Sequence, residues 1–384
     1  GFICPTNFMK RNHGAELRQL LRETATILEI TDFEDVQIFQ GATNYTGIFI
    51  LEKARAGPNH RFHYRKRELA NGFFQVEQAA LSAEPWVFRR AEIDRVVQLI
   101  RKGPNSLLVE LTRGISEGIV TGHNDVFLLP ASRARELKLE PDLLRPCVRG
   151  RNIRRYAVND VNEVVIYPYR PVGARTVALS EAELKKFPRI WRYLNERRHD
   201  LQGRGYFDNS SKEWYELWCQ RDYQLLATSK ILVPELAESN RFALVNQNYF
   251  YGDTVCAVVL LPEVKEHVSY FLGLLNSTLL EFFYQATTVP KANRFFIYKT
   301  MFLGKLPIRR INFGVASEKS MHDRMVALVE RVQSMNSQLA GQLTPSERVR
   351  IQLHLDSIIG QIDRLTFELY GLSEEQIEVL KLAS

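Results

Sequence analysis

Gly1-Phe2-Ile3-Cys4-Pro5-Thr6-Asn7-Phe8 opens the chain on an apolar strand with no preceding turn or cap, and the elements after it decide the fold class. A helix comes next, with Leu17, Leu20 and Leu21 on one face, then the strand Thr26 to Ile30, a short loop through Asp32, and the strand Gly47 to Leu51. Strand, helix, strand, strand within about fifty residues reads as the trailing edge of an α/β sheet whose last two strands finish antiparallel. The first residue is glycine, and nothing precedes the opening strand; the expectation is a cut through a larger protein that holds the earlier half of the sheet.

Beyond these strands, Lys53 to Phe73 turns polar and basic, with Arg55, His60, Arg61, His63, Arg65, Lys66 and Arg67 around the break Gly57-Pro58-Asn59. This predicts a linker or edge hairpin, so the sheet fragment spans 1–55 and a linker with a connecting helix spans 56–105. That helix begins at Glu84-Pro85-Trp86 and buries Ile93, Val96, Val97 and Ile100. Residues 106–316 read as an α+β domain of irregular loops, which suits recognition. Its predicted strands are Leu107 to Leu111, Ile119 to Val120, Val126 to Leu129, Glu163 to Tyr167, Ile231 to Leu236, Phe242 to Val245 and Val255 to Leu261, with helices near Glu181 to Leu201 and Val264 to Tyr284. From 317 to 384 the pattern is helical. Met321, Met325, Leu328, Val332, Met335 and Leu339 form one heptad seam, and Ile351, Leu355, Ile358, Ile362, Leu365 and Leu369 a second. Thr344-Pro345-Ser346-Glu347 is a capping box with proline at the first helical position, so an antiparallel hairpin ending at Gly371 is predicted, followed by a short helix.

The 384 residues carry a net charge of +7, with 45% hydrophobic and 25% charged side chains, which are ordinary globular proportions. Ser317 to Ser384 holds seven Lys or Arg against ten Asp or Glu, so the positive excess lies before it. The hairpin therefore reads as a structural or docking element, and the basic part as the candidate nucleic-acid surface. Cys4, Cys147, Cys219 and Cys256 show no CxxC pairing, which argues against a disulfide framework and a structural zinc site. No apolar run is long enough to span a bilayer, so a soluble protein of the cytoplasm is expected, with no membrane partner.

Arg145-Pro-Cys-Val-Arg149-Gly150-Arg151-Asn152-Ile153-Arg154-Arg155-Tyr156 places five arginines and an aromatic in one stretch without an acid. Guanidinium forks match phosphate oxygens and the acceptor edge of guanine. The turn at Gly150 suggests that Arg149 or Arg151 reaches a base edge, with Asn152 bracing the loop and Arg154 or Arg155 on phosphate. The other reading is an internal brace, paired with acids such as Asp160 and Glu163. No GxGxxG, Walker loop, HExxH or Pro-Pro occurs. Gly203-Arg204-Gly205 reads as a flexible loop, and Asp32, Glu34 and Asp35 as a solvated one. No self-sufficient catalytic site is predicted.

Several stretches carry a resemblance. Gly1 to Phe8, Leu17-Arg18-Gln19-Leu20-Leu21, Asp32-Phe33, Val36-Gln37-Ile38-Phe39 and Thr46-Gly47-Ile48-Phe49-Ile50-Leu51 together resemble the part of an adenine-specific DNA methyltransferase that follows its Asn-Pro-Pro-Tyr motif. Gly118-Ile119-Val120-Thr121-Gly122-His123-Asn124-Asp125-Val126-Phe127, Arg149-Gly150-Arg151-Asn152-Ile153, Leu274-Leu275-Asn276-Ser277 and Leu306-Pro307-Ile308 resemble the TaqI-like specificity domain of type IIG restriction-modification enzymes and related phage-defence methyltransferases. Ile362-Asp363 and Leu369-Tyr370-Gly371-Leu372-Ser373-Glu374-Glu375 resemble the usual ending of type IIG enzymes.

The resemblance implies an α+β chain: the trailing edge of a Rossmann-like methyltransferase sheet, a target recognition domain and the hairpin. The cofactor-binding glycines and the Asn-Pro-Pro-Tyr loop are not in this sequence, so S-adenosylmethionine is expected in the full-length enzyme and not on this piece alone. Its partners would be double-stranded DNA and the missing N-terminal methyltransferase portion, with a nuclease portion where one exists. Phe39 and Pro290 fall where the family contacts an extruded adenine; stacking on an aromatic returns about 1–3 kcal/mol to such a base. Thr121 and Asn124 belong to the matching motif, and Lys291, Asn293 and Arg294 add donors for phosphate or base edges. A non-enzymatic DNA-binding specificity subunit is the alternative, against which the opening sheet fragment tells. An RNA-binding protein would need stacking aromatics on an open sheet, and no such pattern is seen.

Overall fold

A computed structural model describes residues 1–34, 36, 38–39, 45–66, 73–86, 88–205, 207, 210–288, 291 and 295–383 of an α+β chain. It divides into two units: Gly1–Ile100 with Phe282–Phe296 and Ser373–Ser384, and Arg101–Glu281 with Ile297–Leu372.

In the first unit five strands, β1 (Phe2–Pro5), β2 (Thr26–Asp32), β3 (Thr46–Glu52), β4 (Arg61–Lys66) and β5 (Phe74–Glu77), lie in the order β1-β3-β2-β4-β5. The β2–β3 and β1–β3 pairs are antiparallel, and β2 runs parallel to β4. Of the two readings of the basic stretch, linker or edge hairpin, the structure has the hairpin: β4 pairs antiparallel with β5 at the end of the sheet. The alternation in β4 explains this: Phe62 and Tyr64 are buried in the core, while Arg61, His63 and Arg65 alternate with them on the more open face. The acidic loop differs from expectation. Asp32 is buried, 2.8 Å from the Lys10 ammonium, and accepts the Tyr64 hydroxyl at 3.1 Å. Lys66, on the neighbouring strand, pairs with Glu34 at 2.9 Å; Asp35 lies outside the described residues. Arg18, on the helix Ala15–Thr24, is buried and donates to the carbonyls of Phe8, Arg11 and Ala83, so a charged side chain cross-links three segments.

The second unit holds two four-stranded sheets. One is fully antiparallel, in the order Ala243–Val245, Lys230–Pro234, Val255–Leu260, Thr112–Glu117. The other runs Phe250–Tyr251, Leu144–Val148, Glu163–Ile166, Leu128–Pro130. Leu107 to Leu111, expected as a strand, is mainly a 3-10 turn, and the strand follows it at Thr112, where polar residues conceal the pattern. Val126 sits in a short helix, Asn124–Phe127. The two expected long helices are each broken: at Pro188, and at Asn276-Ser277 between Val268–Leu275 and Thr278–Thr287.

Gly203-Arg204-Gly205 is a brace. Arg204 is buried, donates to the carbonyls of Leu201, Thr121, Glu216 and Trp214, and stacks 3.7 Å from the Phe207 ring centroid. The hairpin forms from Ala316–Leu339 and Pro345–Tyr370. Thr344 caps the second helix by accepting the Glu347 N–H, and Gly371 closes it at φ 68°, a conformation glycine adopts without Cβ strain. The two helices pack on each other and bury Met325, Leu328, Val332 and Met335 on the first and Leu355, Ile358, Ile362 and Leu365 on the second. Gly273 lets the helix Val268–Leu275 sit against the hairpin, since a Cβ there would lie 2.6 Å from the Met325 sulfur. No helix among the described residues is long and apolar enough to cross a membrane.

Candidate nucleic-acid interface

The arginine stretch enters as the strand Leu144–Val148, turns through Gly150–Asn152 and leaves as the short strand Ile153–Arg154. Asn152 fixes the turn: its Oδ1 accepts the Arg149 N–H at 2.7 Å, and its Nδ2 donates to Asp160 O at 2.8 Å. Asn152 is buried, so its amide acts on the loop rather than on solvent. Gly150 donates its N–H to Thr254 Oγ1 at 3.0 Å, and a Cβ at this position would lie 2.9 Å from Thr254 O. Close backbone approach, with no positive φ required, explains the glycine.

Between this turn and the end of the strand Lys230–Pro234 lies a cleft of about 300 Å³, lined by Arg149, Arg151, Glu235, Leu236, Arg241 and Thr254. Arg149 reaches Asp253 at 3.3 Å and Arg151 reaches Glu163 at 2.9 Å, so of the two acids named for an internal brace Glu163 is paired, while Asp160 enters only through its carbonyl on Asn152. The Arg151 side chain is nonetheless 69% exposed, and an exposed pair of this kind is worth only about 0–1 kcal/mol, so an incoming phosphate or base can displace the acid. Arg241 has no ion-pair partner among the described residues. Glu235 is held by Lys299 at 3.1 Å, and that ammonium also lies 3.5 Å from Glu117. Three guanidiniums and a carboxylate thus present both donors and an acceptor to one opening. Such a mixture can hold phosphate and discriminate base edges.

The other expected residues are placed differently. Arg154 curls back onto the carbonyls of Arg151 and Ile153 and remains exposed. Arg155 turns inward: Nη2 donates to Asn276 O and the guanidinium carbon sits 5.8 Å from the Tyr156 ring centroid. Tyr156 itself is buried at φ 67°. Thr121 is buried, donating to Asn124 Oδ1 at 2.6 Å and accepting the His123 N–H; Asn124 is exposed, and neither lines the cleft. Phe39 is 46% exposed in the other unit; Lys291, in that unit too, is exposed, and its N–H donates to Phe295 O. Pro290, Asn293 and Arg294 lie outside the described residues. Asp253, Thr254, Glu235, Arg241 and Lys299 were not anticipated. The only local signal was a run of opposite charges beside a strand end, at Glu235, Glu238 and Arg241.

Asn276 ties the site to its support. Its side chain meets both the N–H and the C=O of Phe242 at 2.9 Å, as a neighbouring strand would, while its own carbonyl receives Arg155. Burial pushes the Cys147 thiol, behind the arginine turn, up to about 12. All four cysteines are free, and among the described residues no group of three His, Cys, Asp or Glu could hold a metal.

Residues 145–308 match the family model of the TaqI-like C-terminal specificity domain. The type II restriction enzyme and methyltransferase RM.Eco57I of Escherichia coli is 22% identical over 99% of this chain, which covers 41% of that protein. The type II methyltransferase M.PaeR7I of Pseudomonas aeruginosa is 25% identical over 62% of the chain, covering 43% of that protein. Among solved structures, the type IIL restriction-modification enzyme MmeI in complex with DNA shares the fold at a TM-score of 0.58, with 12% identity, across all of this chain and 49% of that one. The chain spans less than half the length of each of these three proteins.

Proposed function

We propose, with residues 145–308 forming a TaqI-like C-terminal specificity domain, that this chain is the sequence-selecting part of an adenine-specific DNA methyltransferase of the type IIG kind, serving restriction-modification or phage defence. The observation that carries the reading is the coincidence of that family match with the cleft holding Arg149, Arg151 and Arg241. Arg151 and Arg241 read base edges or hold phosphate there. Arg149 and Arg154 lie beside them; Asn124, positioned by the buried Thr121, and Lys291, Asn293 and Arg294 are further DNA contacts. Phe39 and Pro290 serve the extruded adenine. S-adenosylmethionine supplies the methyl group in the full-length enzyme, held by a methyltransferase portion outside this chain, in the cytoplasm.

The test compares the purified chain with the same chain joined to that portion. The chain alone binds duplex DNA with steep salt dependence and transfers no methyl group; the joined protein labels adenine in one sequence. Transfer of a labelled methyl group by the chain alone, or duplex binding that ignores salt, would overturn the reading.

A further inference from the structure

We propose that the free end of the helical hairpin is a second DNA contact, a clamp for the phosphate backbone that reads no sequence; this rests on the reading of the chain as a DNA-recognition protein. The hairpin is anchored at its other end. Asp363 accepts the Thr278 N–H and hydroxyl at 2.8 and 2.7 Å, Tyr370 donates its hydroxyl to Pro307 O at 2.7 Å, and the Arg309 Nε donates to Leu369 O at 3.0 Å. The first buried residue of the second hairpin helix is Leu355, so residues 345–354 extend beyond the packed seam by roughly 15 Å at 1.5 Å per residue.

On that extension the two helices enclose an open cleft of about 410 Å³, with Arg331 on one wall, Arg350 and His354 on the other, and Met335 and Ile351 beneath. His354 Nε2 lies 3.2 Å from the Arg331 guanidinium, and no carboxylate lines the opening. Neither Arg331 nor Arg350 is ion-paired among the described residues. Four of the hairpin's acids are engaged, Glu318 with Arg309, Asp323 with Lys319, Asp363 on Thr278 and Glu347 in the cap, and neither Glu330 nor Asp356 lines the cleft. The charged groups that line the cleft itself are cationic. Two guanidiniums and an imidazole converging from opposite helices match a tetrahedral oxyanion, and a duplex supplies such groups in a row.

Val349 and Leu353, exposed by 60% and 67%, stand next to the cleft and offer a rival occupant, a partner protein. The cleft lining favours DNA, since its two guanidiniums have no ion-pair partner among the described residues and no carboxylate lines the opening.

The experiment measures duplex affinity of the full chain over a range of salt, for wild type, R331Q/R350Q and V349S/L353S. Two lost phosphate contacts lower the slope of log affinity against log salt by about 1.8, equally for all sequences, with the melting temperature unchanged. V349S/L353S leaves the slope intact. An unchanged slope in R331Q/R350Q overturns the clamp while leaving the DNA-recognition reading standing, and loss of duplex affinity confined to V349S/L353S overturns it too, by moving the contact from the cations to the apolar pair. Wild-type chain that binds no duplex removes both.

Discussion

Arg155 and Arg151 stand four residues apart and should fail in opposite ways when truncated. Arg155→Ala removes the donor to Asn276 O, and that residue is fully buried, so the orphaned carbonyl costs about 1–3 kcal/mol. Loss of the guanidinium from the Tyr156 ring adds about 0.5–1 kcal/mol. Part of this is offset, because the Arg155 Nε is buried without an acceptor and its removal relieves a cost already present. A net loss of about 2 kcal/mol is expected, with duplex preference unchanged. Arg151→Ala breaks only the exposed pair with Glu163, worth about 0–1 kcal/mol, yet empties one wall of the cleft. Urea midpoints measure the first quantity, and binding to a randomised duplex library measures the second. A library preference that shifts in Arg155→Ala at unchanged stability, or an Arg151→Ala protein that is the less stable of the two, would refute the division into brace and reader.

Gly273→Val should destabilise the chain by about 1–3 kcal/mol, because the new side chain meets Met325 and Val329 across the helix contact; calorimetry on the two proteins checks it. Lys230 is buried with its ammonium on the carbonyls of Leu226 and Thr228, and burial pushes it down to about 8 from 10.5. Between those two values the unfolded chain binds more protons than the folded one, so stability should rise with pH through that window and be flat in this respect below it. Lys230→Met abolishes the rise, read from urea midpoints on either side; a wild-type curve that falls there contradicts the assignment.

The parts legible in sequence were those whose signals are local. The hairpin announced itself because heptads, a capping box and a terminal glycine all lie within the segment they describe. Partners of the arginine turn were illegible because Thr254 and Asn276 join it from 104 and 121 residues away. Composition left Arg61–Lys66 open between linker and edge hairpin, because cations outnumber the two aromatics that decide the strand. It misled at Arg204, and was silent on Arg18, since arginine is seldom buried and backbone carbonyls that satisfy it leave no trace in a sequence.

The cap that Asp363 places on Thr278 has a consequence for the order of events during synthesis. The helix Thr278–Thr287 leaves the ribosome 85 residues ahead of its own cap, a delay of roughly 4 to 17 seconds at about 5–20 residues per second. Throughout that interval the turn at Asn276, on which Arg155 rests, lacks the side chain that pins the following helix. A stop codon anywhere between the start of the hairpin and Asp363 would therefore yield an unfinished reader rather than a shorter one.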